Sequence, residues 1–277
     1  MTSAPIQSGP RGERRYPGEF GTQPQLREAA GRNLHERIAN TLGERIVAGL
    51  HPPGRALPTE IELCTSLAVS RSALREAFKL LAAKRLIISR QKVGTLVRPR
   101  SEWNMLDPEV LAWTLRAAPT DAFVTGLFEV RKIIEPSAAA LAAERRTPEA
   151  AKRIERALAD MFAFQDGSGD LTDADLRFHQ AILDATGNFF LASFGAVIES
   201  SLVASFRLSW HSGYHTPEYS LRQHQGVMEA IRDGRAADAC GIMTQLLRSA
   251  IEDVRESLLR RQSGAATELG LPIEGTV

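Results

Sequence analysis

The stretch from Leu57 to Leu81, LPTEIELCTSLAVSRSALREAFKLL, predicts two short helices joined by a tight turn. Thr59 and Glu62 have the spacing of a capping box, which marks the start of the first helix. Residues 68–69 form the predicted turn, and Ser70 is a typical N-cap for the second helix. The apolar side chains that recur at helical spacing are Ile61, Leu63, Cys64 and Leu67 in the first helix and Leu74, Ala77, Phe78 and Leu81 in the second.

The second of these helices carries polar and cationic side chains at its start and on an outward face. Arg71 and Arg75 are four residues apart, so they share one face, which is separate from the apolar one. A helix start with arginines, the hydroxyls of Ser70 and Ser72 and free backbone amides suits a DNA groove and its flanking phosphates. We therefore predict DNA binding. The alternative is a helical hairpin whose arginines are only solvated.

A short hairpin follows the two helices. Residues 86–97 have the composition of two strands around a glycine-containing turn, and residues 34–46 predict an amphipathic helix upstream. Three helices followed by a hairpin make a winged helix-turn-helix. The tip of the wing offers Arg90, Lys92 and the backbone of Gly94 to a sugar-phosphate backbone or a minor groove.

The charges of the chain are unevenly distributed. Residues 1–100 contain 17 Lys and Arg against 8 Asp and Glu, whereas residues 101–277 contain 17 against 25. The formal net charge of +1 therefore combines a basic front half with an acidic back half. This asymmetry is typical of a DNA-binding module joined to one that does not bind DNA.

The basic half resembles the GntR family of bacterial transcription regulators over about residues 33–100. The matching residues are Leu57-Pro58, Glu60, Leu63, Val69-Ser70-Arg71, Leu74-Arg75-Glu76-Ala77 and Gly94-Thr95. The resemblance implies that a double-stranded operator is contacted by Thr59, Glu60, Ser70, Arg71, Ser72, Arg75, Arg90, Lys92 and Gly94. Ile61 occupies a position at which some relatives carry a DNA-contacting arginine, so that contact is not expected here.

The length of 277 residues allows two domains with separate cores. We expect a disordered arm over residues 1–32, the winged helix-turn-helix over 33–100, a second domain over 101–262 and a disordered tail over 263–277. Helical periodicity fills the second domain, which predicts a mainly α fold with a bundle of six or seven helices. The helical blocks are about Pro108–Arg116, Asp121–Arg145, Pro148–Gln165, Thr172–Thr186, Asn188–His211, Pro217–Arg232 and Arg235–Arg261.

The cysteines and the apolar segments favour a cytoplasmic protein. Cys64 and Cys240 both lie at apolar helical positions, which predicts buried thiols and no disulfide. The longest apolar run, residues 189–198, is too short to cross a bilayer, and no signal peptide is evident.

Three polar residues of the predicted bundle suggest a metal site. Asp175 and His179 are four residues apart on a helix, a spacing that presents two ligands on one face, and His224 begins another helical block among apolar neighbours. The alternative from spacing alone is a surface pair and a half-buried histidine. The second domain also resembles the FCD-type effector domain. The matching residues are Asp175-Leu176-Arg177-Phe178-His179, Gly187-Asn188, Gln223-His224, Ala230-Ile231 and Asp233.

This resemblance implies an effector site built around a divalent metal of the zinc, nickel or manganese type. Asp175, His179 and His224 fall on three metal-ligand positions, and the fourth, about 21 residues after the third, falls on Gln245. Arg131 also falls on a pattern position, from which a guanidinium can grip a carboxylate. The alternative for Arg131 is a surface salt bridge with Glu135.

The segment from Trp103 to Trp113 resembles the sugar-acid regulators of this subgroup. The resemblance implies a homodimeric repressor of sugar-acid catabolism that leaves its operator when a small carboxylate effector binds through Arg131, Asp175, His179, His224 and Gln245. Two other functions stay open at this point. One is a metal-dependent hydrolase or isomerase in the helical half, and the other is a sequence-indifferent DNA-binding protein.

Overall fold

A computed structural model describes residues 34–117, 120–164, 169–209 and 216–268. The predicted arm over residues 1–32 and the last residues of the predicted tail, 269–277, lie outside these ranges. No helix in the described ranges combines the length and the apolarity that a membrane span requires.

The first part of the chain folds as predicted into three helices and a hairpin. The helices are α1 (Leu34–Val47), α2 (Glu60–Leu67) and α3 (Arg71–Ala83), and the strands are β1 (Ile87–Arg90) and β2 (Gly94–Val97). The strands pair in antiparallel register from Ile87 opposite Val97 to Arg90 opposite Gly94. This is a winged helix-turn-helix.

Local hydrogen bonds fix the two helices of the motif. The Thr59 hydroxyl accepts from the amide of Glu62, and the Glu62 carboxylate accepts from the amide of Thr59 at 2.8 Å, which completes the predicted capping box. Ala68 ends α2 in the left-handed conformation, with φ of 52°. The Ser70 hydroxyl then accepts from the amide of Ala73 at 3.2 Å and caps α3.

The prediction places Ile61 on the buried face of α2, but the structure does not. Its side chain is 62% exposed, whereas that of Leu63 is 2% exposed. Successive residues are about 100° apart around a helix, so residues two apart point in nearly opposite directions. Leu63 faces the core, and Ile61 therefore faces solvent.

The rest of the described chain is helical. A single 3-10 turn, Arg100–Glu102, connects the wing to it. The helices are α4 (Pro108–Arg116), α5 (Asp121–Arg145), α6 (Pro148–Phe164), α7 (Leu171–Ala185), α8 (Phe189–Ala192), α9 (Gly195–Ser209), α10 (Pro217–Arg232) and α11 (Ala236–Glu268). The long helices α5 and α11 pack against each other, and α7, α9 and α10 surround α5.

Two boundaries differ from the prediction. The block predicted as one helix over 188–211 is divided into α8 and α9, because the chain turns at Ser193, whose hydroxyl donates to the carbonyl of Phe189. The described ranges therefore contain eight helices after the wing. At the other end, α11 continues to Glu268, into the segment predicted to be disordered.

Helix α4 contributes to two hydrophobic cores. Val110 and Trp113 are buried with the winged-helix residues, whereas Leu111 and Leu115 are buried against the helical bundle. The Trp113 indole donates to the side-chain oxygen of Asn40 on α1 at 3.1 Å. The packing of α4 is therefore shared between the winged helix and the bundle.

Helix α4 is also connected to the end of α3. The Lys84 ammonium lies 2.8 Å from the Asp107 carboxylate and 2.7 Å from that of Glu109. Asp107 is the N-cap of α4, so the C-terminal end of α3 and the start of α4 are held by one set of charges.

Candidate functional site

The predicted DNA-contacting residues of α3 are exposed. Ser70, Arg71, Ser72 and Arg75 lie at the N-terminal end of the helix and outside the core. The Nε atom of Arg75 donates to the Glu60 carboxylate of α2 at 3.2 Å, and the terminal nitrogens of the exposed guanidinium take no part in this ion pair. Glu60 therefore orients the Arg75 side chain, a role that the sequence did not suggest.

The turn at the tip of the wing has a left-handed backbone at Lys92 and Gly94. Arg90 pairs with Gly94 at the end of the ladder, and residues 91–93 form the tip. Lys92 and Gly94 both have positive φ, at 62° and 97°, and both are exposed. Glycine adopts this conformation without steric cost, and an exposed backbone here can approach a phosphate closely.

A second group of charged side chains is buried within the helical half. Asp175 and His179 project from one face of α7, and His224 projects from α10. Arg131 and Glu135, one turn apart on α5, complete the group and are each 2% exposed. The structure thus brings together four of the predicted site residues with Glu135, which the sequence had assigned only to a surface pair.

The three predicted metal ligands converge. Nε2 of His179 lies 3.3 Å and Nε2 of His224 lies 3.1 Å from Oδ1 of Asp175. All three candidate ligand atoms lie within 4.8 Å of one another. The ring of Phe178 packs edge-on against both imidazoles and holds them in place.

The hydrogen bonds of His224 suit a metal ligand. Its Nδ1 lies 2.8 Å from the carbonyl oxygen of Ser220, and because a carbonyl only accepts, Nδ1 carries the proton. With a proton on Nε2, the ring donates to the Asp175 carboxylate; once that proton is lost, the lone pair of Nε2 faces the carboxylate. Two electron-rich atoms in this arrangement favour a cation between them, so the donor set fits a divalent metal.

Arg131 and Glu135 form an ion pair, but it is buried and not on the surface. Nε of Arg131 donates to Oε1 of Glu135, and Oε2 of Glu135 lies 2.5 Å from Nδ1 of His179. Nη2 of Arg131 lies 3.2 Å from Nε2 of His179. The four-residue spacing from Arg131 was the one sequence signal for Glu135, since burial depends on how α5 packs against α7.

The pKa shifts of Glu135, Asp175 and His179 favour their charged forms. Burial disfavours charge on Glu135, but Arg131 and His179 outweigh it and lower the pKa to about 2. Burial likewise opposes charge on Asp175, yet hydrogen bonds with His179 and His224 keep its pKa well below the usual range. Burial lowers the pKa of His179, whereas the charge of Glu135 raises it to about 9 overall. A metal at Nε2 of His179 would therefore displace a proton.

Gln245 is not part of this cluster, contrary to the prediction. Its side chain is exposed on α11, whereas the neighbouring Leu246 and Leu247 are buried. A difference of one residue rotates a side chain by about 100° around a helix, so a count of 21 residues from His224 falls on the outer face. Leu246, on the inner face, offers no ligand atom.

Family models match both halves of the chain. Residues 34–97 match "Bacterial regulatory proteins, gntR family", and residues 126–249 match "FCD domain". The galactonate operon transcriptional repressor of Escherichia coli is 38% identical over 212 residues, which cover 76% of this chain and 93% of that protein. The chain belongs to the GntR family of transcriptional regulators. It is a regulator of the FCD-containing group and not an enzyme.

Two further proteins are similar to this chain over comparable lengths. The transcriptional regulator LutR of Bacillus subtilis is 33% identical over 207 residues, or 73% of this chain and 92% of that one. The Listeria monocytogenes protein Lar has a solved structure with a TM-score of 0.56 and 18% identity, covering 81% of this chain and 98% of that one. The last similarity concerns the fold alone.

Proposed function

We propose that this GntR regulator is a repressor released from its operator by a sugar acid that binds in the helical half. The observation that carries the proposal is the buried cluster of five ionisable side chains on α5, α7 and α10. Burying charges costs free energy even when they are paired, so a cluster of this kind points to a binding role. The cluster consists of Arg131, Glu135, Asp175, His179 and His224.

The proposed metal ligands are Asp175, His179 and His224. One carboxylate and two imidazoles suit zinc, nickel or manganese, and three protein ligands leave coordination positions open. When bound, the metal would supply a positive centre for oxygen atoms of the effector. With Glu135 and Asp175 negative and Arg131 positive, a divalent cation gives the cluster a net charge of +1, which one effector carboxylate neutralises.

A sugar acid is the proposed effector because its groups match the site. Arg131 grips the carboxylate through the terminal nitrogens that Glu135 leaves free, and the hydroxyl next to the carboxylate is a further oxygen donor. The E. coli relative is by name a repressor of a galactonate operon, which makes galactonate the first compound to test.

The proposed output is a change in how two winged helices are held. We propose a homodimer in the bacterial cytoplasm whose two α3 helices contact the halves of a palindromic operator. Effector binding would act through α4, which is buried against both the bundle and the winged helix and is tied to α3 through Lys84. The effector can release DNA only if it binds the two arrangements unequally.

A DNA-binding titration tests this proposal. The fluorescence anisotropy of labelled DNA from upstream of the protein's own gene is measured with galactonate, with gluconate, and with each after chelation. We expect tight binding to this DNA but not to a scrambled fragment, and metal-dependent release by a sugar acid. Equal binding to both fragments would indicate a sequence-indifferent protein, and the absence of any sugar-acid effect would refute the effector assignment.

A further inference from the structure

The buried carboxylate of Glu135 contacts two other groups of the cluster with its two oxygens. Oε1 accepts from Nε of Arg131, and Oε2 faces Nδ1 of His179 at 2.5 Å. We infer that Glu135 is a positioning residue, which holds His179 for the metal and Arg131 for the effector carboxylate. The inference rests on the proposed function and extends it to a residue that neither binds the metal nor touches the effector.

The two histidines of the cluster are oriented by different kinds of group. Nδ1 of His224 donates to the backbone carbonyl of Ser220, one turn earlier on the same helix. Nδ1 of His179 has no such backbone acceptor among the described residues. Oε2 of Glu135 and Nδ1 of His179 lie 2.5 Å apart without the alignment of a regular hydrogen bond, and both atoms are buried with no hydrogen-bond partner in the described ranges.

This contact determines which nitrogen of His179 is free for a metal. A carboxylate only accepts, so Nδ1 keeps its proton and Nε2 supplies the lone pair. Nε2 is the atom that lies 3.3 Å from the Asp175 carboxylate, on the same side as Nε2 of His224. Without Glu135, the ring could carry its proton on either nitrogen and rotate away from the other ligands.

The other oxygen of Glu135 constrains Arg131. Both residues lie on α5, four positions apart, so the pair is set by the helix itself. Holding Nε fixes the plane of the guanidinium. Nη1 is then available for an incoming carboxylate, and Nη2, which lies 3.2 Å from Nε2 of His179, becomes available once that nitrogen binds the metal. One side chain thus connects the proposed metal site with the proposed effector contact.

Replacing Glu135 with glutamine distinguishes a positioning role of this residue from simple space filling. Glu135→Gln keeps the shape but has one acceptor oxygen where the carboxylate has two, so it can satisfy Arg131 or His179 but not both. The matched control is Glu129→Gln, on the same helix but exposed. Both variants are made in the full-length protein, and thermal melting compares their folding with that of the wild type.

Zinc affinity is measured by competition with a chromophoric chelator. We expect E135Q to bind zinc about 10–100-fold more weakly, as typical for loss of a carboxylate behind a histidine ligand, and E129Q to equal the wild type. Galactonate should also bind E135Q more weakly at saturating zinc. Wild-type zinc affinity in E135Q would overturn the inference.

Histidine NMR provides an independent readout that does not require metal. In metal-free wild-type protein labelled with ¹⁵N-histidine, we expect a downfield, exchange-protected Nδ1 proton on His179, absent from E135Q. If E135Q does not fold, the wild-type spectrum alone decides, and the lack of this proton would overturn the inference. If the wild type binds no zinc but shows this proton, the metal proposal fails while the contact with Glu135 stands.

Discussion

The winged helix and the helical half display their charges in opposite ways. At the start of α3, Arg71 and Arg75 are exposed, and Arg75 is oriented by a partly exposed carboxylate. In the bundle, Arg131 and Glu135 are almost inaccessible, and both contact the buried His179. Exposed cationic side chains suit the binding of a polyanion that approaches from outside, whereas buried charged side chains suit a small ligand that the protein encloses.

The largest expected effect concerns the exposed region. The double variant Arg71→Ala and Arg75→Ala should lose specific operator affinity by about 2–6 kcal/mol, since each good base contact contributes roughly 1–3 kcal/mol. Fluorescence anisotropy on the operator measures the loss. Zinc stoichiometry should be unchanged in the same preparation. Retained operator affinity would show that α3 is not the recognition helix.

Removal of a proposed metal ligand should weaken zinc binding in the buried region and leave operator binding intact. His179→Ala and His224→Ala should each weaken zinc binding by more than the roughly 10–100-fold typical of residues behind the ligands. Elemental analysis after dialysis measures the metal content, and we expect operator binding without effector to persist. A full equivalent of zinc in both variants would exclude the site.

A smaller effect is expected at Glu60, where the exposed region has its own positioning carboxylate. Glu60→Gln removes the charge that holds Nε of Arg75. Exposed ion pairs contribute about 0.2–1 kcal/mol, so the ratio of specific to non-specific DNA affinity should fall by up to about fivefold. Glu76→Gln, which loses an exposed pair with Lys79 on the same helix, is the control. A higher ratio in E60Q would mean that Glu60 acts mainly by repelling phosphates.

The smallest effect is expected at Gln245. Because its side chain is exposed, Gln245→Ala should change stability by no more than about 0.5 kcal/mol and leave zinc affinity unaltered. Chelator competition and thermal melting check both quantities. Weaker zinc binding would restore Gln245 as a ligand and contradict the position of α11.

The sequence predicted the winged helix more completely than the cluster, for physical reasons. The capping box, the N-cap at Ser70 and the wing turn depend on residues a few positions apart. The helical spacing of Asp175 and His179 is equally local, and both residues lie on α7. Whether these residues meet His224 and Glu135, however, depends on how α5, α7 and α10 pack.

The errors have a common origin in helix rotation. Gln245 is predicted at a ligand position and Ile61 in an apolar stripe, and both side chains are exposed. Counting residues in the sequence locates a side chain along a helix to within one residue. An error of one residue, however, rotates the side chain by about 100° around the helix axis. Only the packing of Leu246, or of Leu63, determines which side is buried.

The shared helix α4 has a consequence for how the protein denatures. Trp113 is packed so closely on α1 that a Cβ added at Gly43 would lie 2.4 Å from its ring, while Leu115 is buried with Ile251 and Val254 of α11. If either half unfolds, α4 loses the packing on one of its faces, while the core of the other half still depends on the same helix. We expect a single calorimetric transition for both halves, so a sugar acid that binds only in the bundle should raise the melting temperature of the winged helix as well.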